Sequence, residues 1–228
     1  MVVISAGDDL VEPGQRLADL DDEFESNSWM LTTSVREAGA TGFRVHTIAQ
    51  NHQQLKEIVE DQLVRADLLV ISGESHDESF DLITSVLREL GDVHTVRPKM
   101  SESGLHNFGL IGPDRTPVIT LPGDPVVTAL AAEIFVRPMI RTMLGAANIY
   151  RNEVQSKLTT SVDSPIGVRS FIRATLSTQG GVSATPLPDQ NSLTSFSEAQ
   201  AFIIVPEEVA GYIVGSQVDV MLLERSNN

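Results

Sequence analysis

The chain has 228 residues, a formal charge of −15 and no cysteine. That is length enough for one large or two modest domains, with no disulfide framework and no thiolate chemistry. Residues 1–150 carry 23 acids and 11 bases (−12), and 151–228 carry 8 and 5 (−3), a surface that repels phosphate backbones and anionic lipid and so argues against nucleic-acid and membrane-surface partners.

No apolar run approaches the roughly 20 residues that span a bilayer, and the N-terminus lacks the basic-then-apolar pattern of a secretory signal. The expectation is a soluble, cytoplasmic protein. Val2, Val3 and Ile4 make a short strand almost at Met1, as if a longer natural chain had been cut there. The loop after it is acidic and punctuated by Gly and Pro, and Asp19, Asp21, Asp22, Glu23 and Glu25 read as a solvated run. Ser26 or Asn27 caps a helix to Ala38, with Met30, Leu31 and Val35 inward. Phe43 to Ile48 alternates as a strand does, and Asn51 caps a helix striped by Leu55, Ile58, Val59 and Leu63.

Leu68 to Ile71 is a continuous apolar run, expected of a strand buried on both faces. Ser72-Gly73 breaks it, Ser75 and Glu78 have capping-box spacing, and a helix follows until Gly91. Val93 to Arg97 and Phe108 to Ile111 read as a hairpin around a polar loop. Pro117 to Leu121 is another strand, Asp124-Pro125 starts a long helix, and Pro138 kinks or breaks it. This is an α/β pattern with a mostly parallel sheet over residues 1–148. Residues 153–226 show no convincing helix, only short alternating runs between turns, and 149–228 are read as a small all-β, barrel-like domain.

The five histidines have no zinc-ligand spacing, and neither G-x-S-x-G nor a Walker sequence is present. Three loops fall at the carboxyl edge of the sheet, where open α/β sheets bind ligands: Gly7-Asp8-Asp9, Ser72 to Asp81, and Pro122-Gly123-Asp124-Pro125. Asp8, Asp9, Asp81 and Asp124 brought together would suit Mg²⁺. Each also has a plain role in a turn, a helix cap or an exposed helical turn.

These loops resemble those of the MoeA family, the molybdopterin molybdenumtransferases, and of the equivalent E domain of gephyrin, over nearly all 228 residues. The family's T-G-D-E-L appears as Ala6-Gly7-Asp8-Asp9-Leu10, followed by Glu12-Pro13-Gly14. Its Y-D-S-N-S appears as Phe24-Glu25-Ser26-Asn27-Ser28, and its L-P-G-N-P-V-S as Leu121 to Val127. Phe135-Val136-Arg137-Pro138 and the closing IIVPEE and VDVMLL also match. The resemblance implies a molybdopterin-binding α/β domain followed by a small β-barrel domain, a homodimer, and two further domains ahead of these. It implies cofactor contacts at Gly7, Asp8, Ser72, Gly73, Pro122 and Gly123, a metal at Asp8, Asp9 and Asp81, and a vestigial catalytic Asp81.

The departures sit at the site. The family's S-G-G-V-S-V-G reads Ser72-Gly73-Glu74-Ser75-His76-Asp77-Glu78, and its K-P-G-K-P reads Ser101-Glu102-Ser103-Gly104-Leu105. Both lysines are gone, two glycines and a proline have become acids, and the serine of the last loop is Val127. The family's substrates are anionic, and a charged hydrogen bond contributes about 1.5–3 kcal/mol. Molybdopterin binding is therefore doubtful, and two function classes stay open. One is a catalytically inactive, dimeric scaffold that holds a partner's peptide tail, as gephyrin does, through Pro206 and Tyr212. The other is an active molybdenumtransferase of molybdenum cofactor biosynthesis.

Overall fold

The structure is a computed structural model that describes residues 1–7, 10–20, 22–47, 51–73, 77–178 and 181–223, with only the backbone of 46, 47 and 77–79. The chain divides into two compact units, residues 1–97 with 104–149, and 98–103 with 150–228. A linear reading had no means of assigning 98–103 to the second unit.

The first unit holds β1 (Val2–Ala6), β2 (Leu10–Val11), β3 (Glu23–Phe24), α1 (Asn27–Glu37), β4 (Phe43–Thr47), α2 (His52–Leu63), β5 (Leu69–Ser72) and α3 (Asp77–Leu90). It continues through β6 (Gly91–Val96), β7 (His106–Ile111), β8 (Thr116–Leu121), α4 (Pro125–Ala131), a π-helical turn Ala132–Val136 and α5 (Arg137–Met143). Six strands form one sheet in the order β4-β1-β5-β8-β7-β6. The first four are parallel, β7 is antiparallel to β8, and the expected hairpin is β6–β7.

The apolar runs of β1 and β5 are explained by cover on both faces. Val2, Ile4, Leu69 and Ile71 pack toward Leu55, Val59, Ile83 and Leu87 of α2 and α3. The alternate residues Val3, Leu68 and Val70 pack toward Leu31, Val35, Val136 and Ile140. At Pro138 the helix is not cut. Proline has no N–H to donate one turn back, and the turn before it widens, so that Arg137 N donates to Ala132 O.

The second unit contains β9 (Glu153–Leu158), β10 (Val162–Asp163), β11 (Ser170–Ser177), β12 (Ser183–Pro186), α6 (Leu193–Glu198), β13 (Ala201–Val205), β14 (Gly211–Tyr212) and β15 (Gln217–Leu222). A closed barrel runs β11-β12-β9-β15-β13, and β10 pairs with β14. Its core is small and aliphatic: Ala174, Ala184, Ala201, Ile203, Val218 and Val220. Beside the expected barrel the unit carries one short helix, α6. Its sequence LTSFSE has no apolar stripe, and Ser192 starts it by accepting from Ser195 N at 3.1 Å. Among the described residues no helix is long and apolar enough to cross a membrane.

Candidate functional site

Parallel register brings three strand ends to one level, with Ser5 opposite Ser72 and Ser72 opposite Leu121. Gly7, Gly73 and Pro122-Gly123 follow directly at this carboxyl edge. A side chain at Gly73 would come within 3.0 Å of Ile83 Cδ1, so the glycine lets β5 turn closely under α3. The ends are joined by Asn27, whose Nδ2 donates to Ser72 Oγ at 2.9 Å and to Gly123 O at 2.7 Å. Ser72 Oγ in turn donates to Pro122 O at 3.3 Å, and Thr128 Oγ1 also donates to that carbonyl. Asn27 Oδ1 is buried without a partner. Asp124 caps α4 as expected, accepting from Val126 N and Val127 N at 2.9 Å.

Asn27 is free for this because another residue caps α1. Ser26 makes no side-chain cap bond. Glu25 does the work instead, accepting from Ser28 N at 2.7 Å and Ser28 Oγ at 2.5 Å. Arg44 Nε donates to Ser28 Oγ at 2.6 Å, while its Nη2 lies 3.4 Å from Glu25 and pairs with Glu12. The guanidinium also stands 4.2 Å over the Trp29 ring. Glu25 is 1% exposed, so its place in a solvated acidic run is corrected: the carboxylate is an internal group with an internal cation.

On the β7–β8 side, a Cβ added at Gly104 would lie 2.5 Å from Pro122 Cγ, so no larger residue fits there as the backbone stands. His106 is buried, donates from Nδ1 to Thr120 O at 2.9 Å, and meets Phe135 edge-on. Burial lowers its pKa from the ordinary value; the bond to Thr120 opposes this and Arg97 adds to it. Asn107 donates from its backbone N to Thr120 Oγ1 at 2.7 Å and from Nδ2 to Thr84 Oγ1 at 2.8 Å, and its Oδ1 accepts from Thr95 Oγ1 at 2.6 Å.

In the second unit, Glu102 accepts a bidentate pair from Arg173, at 2.9 Å from Nη1 and 2.8 Å from Nη2. Arg173 is fully buried, and its Nε has no partner. Backbone bonds between Arg169 and both Lys99 and Ser101 hold the same segment on the barrel unit. Gln190 closes the other side, accepting from Arg173 N and donating to Arg173 O and Leu187 O. The acid that replaces a family proline in this loop is therefore neutralised internally, which corrects the expectation that it faces an incoming anion.

Of the predicted residues, Gly7, Ser72, Gly73, Pro122 and Gly123 share the edge. Asp8 and Asp9 lie outside the described residues, as do Glu74, Ser75 and His76. Asp81 is exposed on α3. Among the described residues no three His, Asp or Glu groups come together as a cation requires; Asp8 and Asp9, expected beside Asp81, are not among those residues. Pro206 is half-buried after β13, and half-buried Tyr212 packs against the barrel core. Reading the sequence missed the roles of Asn27, Glu25, Arg173 and Gln190. Arg173 alone left a trace, as a charged residue inside the strand run FIRATL.

Residues 2–142 match the family described as "Probable molybdopterin binding domain", and residues 155–223 match "MoeA C-terminal region (domain IV)". "Molybdopterin molybdenumtransferase 2" of Mycobacterium tuberculosis is 32% identical over 96% of this chain and 55% of its own length. The Bacillus subtilis molybdopterin molybdenumtransferase is 28% identical over 96% and 53%. A solved molybdopterin biosynthesis MoeA protein from Pyrococcus horikosii superposes with a TM-score of 0.80 at 28% identity, covering 98% of this chain and 54% of that one. The chain thus spans about half the length of the curated relatives it matches. With both family matches following one another along its length, and an α/β unit and closed barrel to go with them, the chain belongs to the MoeA family of molybdenum cofactor biosynthesis.

Proposed function

We propose that this chain is part of a family member that has given up molybdate insertion and serves as a homodimeric, gephyrin-like scaffold for the peptide tail of a partner protein. The observation that carries this reading is Gly104 against Pro122. Of the two positions matched to the family's lysines, 101 holds a serine, and 104 has no room for any side chain while the Pro122 ring stays where it is. No cation replaces them in that loop.

The partner's tail would engage the β10–β14 edge of the second unit. Tyr212 pairs there with Val162, and Ile213 and Val214 beside it are 75% and 60% exposed. Pro206 lies at the end of the neighbouring barrel strand. Reconstitution of an apo-molybdoenzyme with the full-length protein tests the loss of chemistry. No cofactor insertion is expected, and insertion that depends on Asp81 would overturn the proposal. Tyr212→Ala and Ile213→Asp test the scaffold. Partner pulldown should fail with both, and Ile213→Asp should leave the melting temperature unchanged.

A second reading, an active molybdenumtransferase, is favoured by one observation. The ends of β5 and β8 are still tied together by Asn27, which keeps a ligand-binding edge in shape without any lysine.

A further inference from the structure

We infer that Asn27 is the positioning residue of this edge, fixing the end of β5 against the loop after β8, and that Arg44 fixes Asn27. The backbone ladder between these strands ends at Ser72 opposite Leu121. Beyond that level the loops need another tie, and both protons of the Asn27 amide supply it, one to a side chain and one to a backbone carbonyl. Only this amide orientation can donate to Gly123 O.

The arrangement carries a penalty that nothing local requires. Asn27 is 7% exposed and its Oδ1 is buried and unpaired, a state that disfavours the fold. It persists with the residue held from behind: Glu25 takes over the helix cap, and Arg44 braces Ser28 and Glu25. Residue chemistry at 27 is narrow. Aspartate has no proton to donate, serine has one donor on a shorter arm, and glutamine is a methylene too long.

The test compares Asn27→Ala and the milder Ser72→Ala with Thr32→Val. Thr32 is buried one turn on in α1, and its hydroxyl bonds only back to Ser28 O. Amide hydrogen exchange reads the loops. Losing two buried bonds should speed exchange by about tenfold or more in Asn27→Ala at Val126, Val127 and Thr128, whose amides are bonded to Asp124 in this loop. Ser72→Ala should give a smaller increase at the same amides, and Thr32→Val none. Equal acceleration throughout β1 and β5 in all three variants would mean global destabilisation and overturn the inference, as would unchanged exchange at the loop.

A ligand arm rests on the second reading above. Molybdopterin should bind Asn27→Ala about tenfold or more weakly than the parent chain, and bind Thr32→Val equally well. Binding to Asn27→Ala as tight as to the parent would count against positioning. Failure of the parent chain to bind molybdopterin would defeat the second reading while leaving the exchange comparison to decide on Asn27.

Discussion

Replacing Glu102 by alanine should destabilise the barrel unit strongly, although the residue sits in a polar surface loop. The substitution removes both charge-assisted bonds to Arg173, at 2.8 and 2.9 Å, and leaves a guanidinium that is 0% exposed with Nε already unpaired. Breaking one side of such a pair disfavours the folded state by about 3–5 kcal/mol, because the remaining charge is buried alone. Glu102 itself is 22% exposed, so water can partly enter behind the alanine, and the lower end, about 3 kcal/mol, is expected. Urea unfolding monitored by circular dichroism reads this as a lower midpoint at unchanged slope. The cycle closes with Arg173→Met. Since an apolar replacement of a whole buried pair is often neutral, Glu102→Ala with Arg173→Met should regain most of the loss. A single Glu102→Ala change below about 0.5 kcal/mol, the range of ordinary surface substitutions, would refute the reasoning.

Restoring a lysine alone by Gly104→Lys should weaken folding by about 1–3 kcal/mol, because its Cβ meets the stiff Pro122 ring at 2.5 Å; an unchanged melting temperature would show that the loop yields freely. His106 should make the first unit acid-sensitive. Burial lowers its folded pKa, so the unfolded chain binds more protons, and the contribution of His106, full above about pH 6.5, is lost as pH falls through the lowered folded value. His106→Leu should therefore flatten the dependence of melting temperature on pH below about 6.5, and an identical slope in both proteins would remove His106 from the account. Arg44→Met should cost about 3 kcal/mol or more, since it leaves Glu25 buried without its cation; a thermal shift indistinguishable from the parent would count against it.

Most of the α/β unit was legible because its signals are local. The apolar runs of β1 and β5, the Asn51 and Asp124 caps and the amphipathic stripes of α2 and α3 each act within a few residues. What was not legible depends on partners far along the chain. Glu25 reads as one acid among five, and only the fold brings Arg44, 19 residues on, beside it. Asn27 reads as a cap, whereas its partners are 45 and 96 residues away. Arg173 lies 71 residues from Glu102. The helix α6 went unseen for a different reason: six residues with two serines and a threonine carry no periodicity, and its place is set by packing such as Phe196 on Phe202.

The departures in the 101–105 loop read from sequence as a subtraction of positive charge from an anion site. In three dimensions they are a matched set. Gly104 is the residue that Pro122 leaves space for, and Glu102 is the anion that Arg173 requires. Each new residue is therefore tied to a partner that would be left clashing or uncompensated by a single reversion. Packing and electrostatics act at separate positions of this segment: a lysine at 104 requires Pro122 to move, and a proline at 102 would leave Arg173 without its anion. At 104 the lost lysine is thus held out by the surrounding fold as well as absent from the sequence, and this is why the scaffold reading rests on Gly104 and Pro122 more firmly than on net charge.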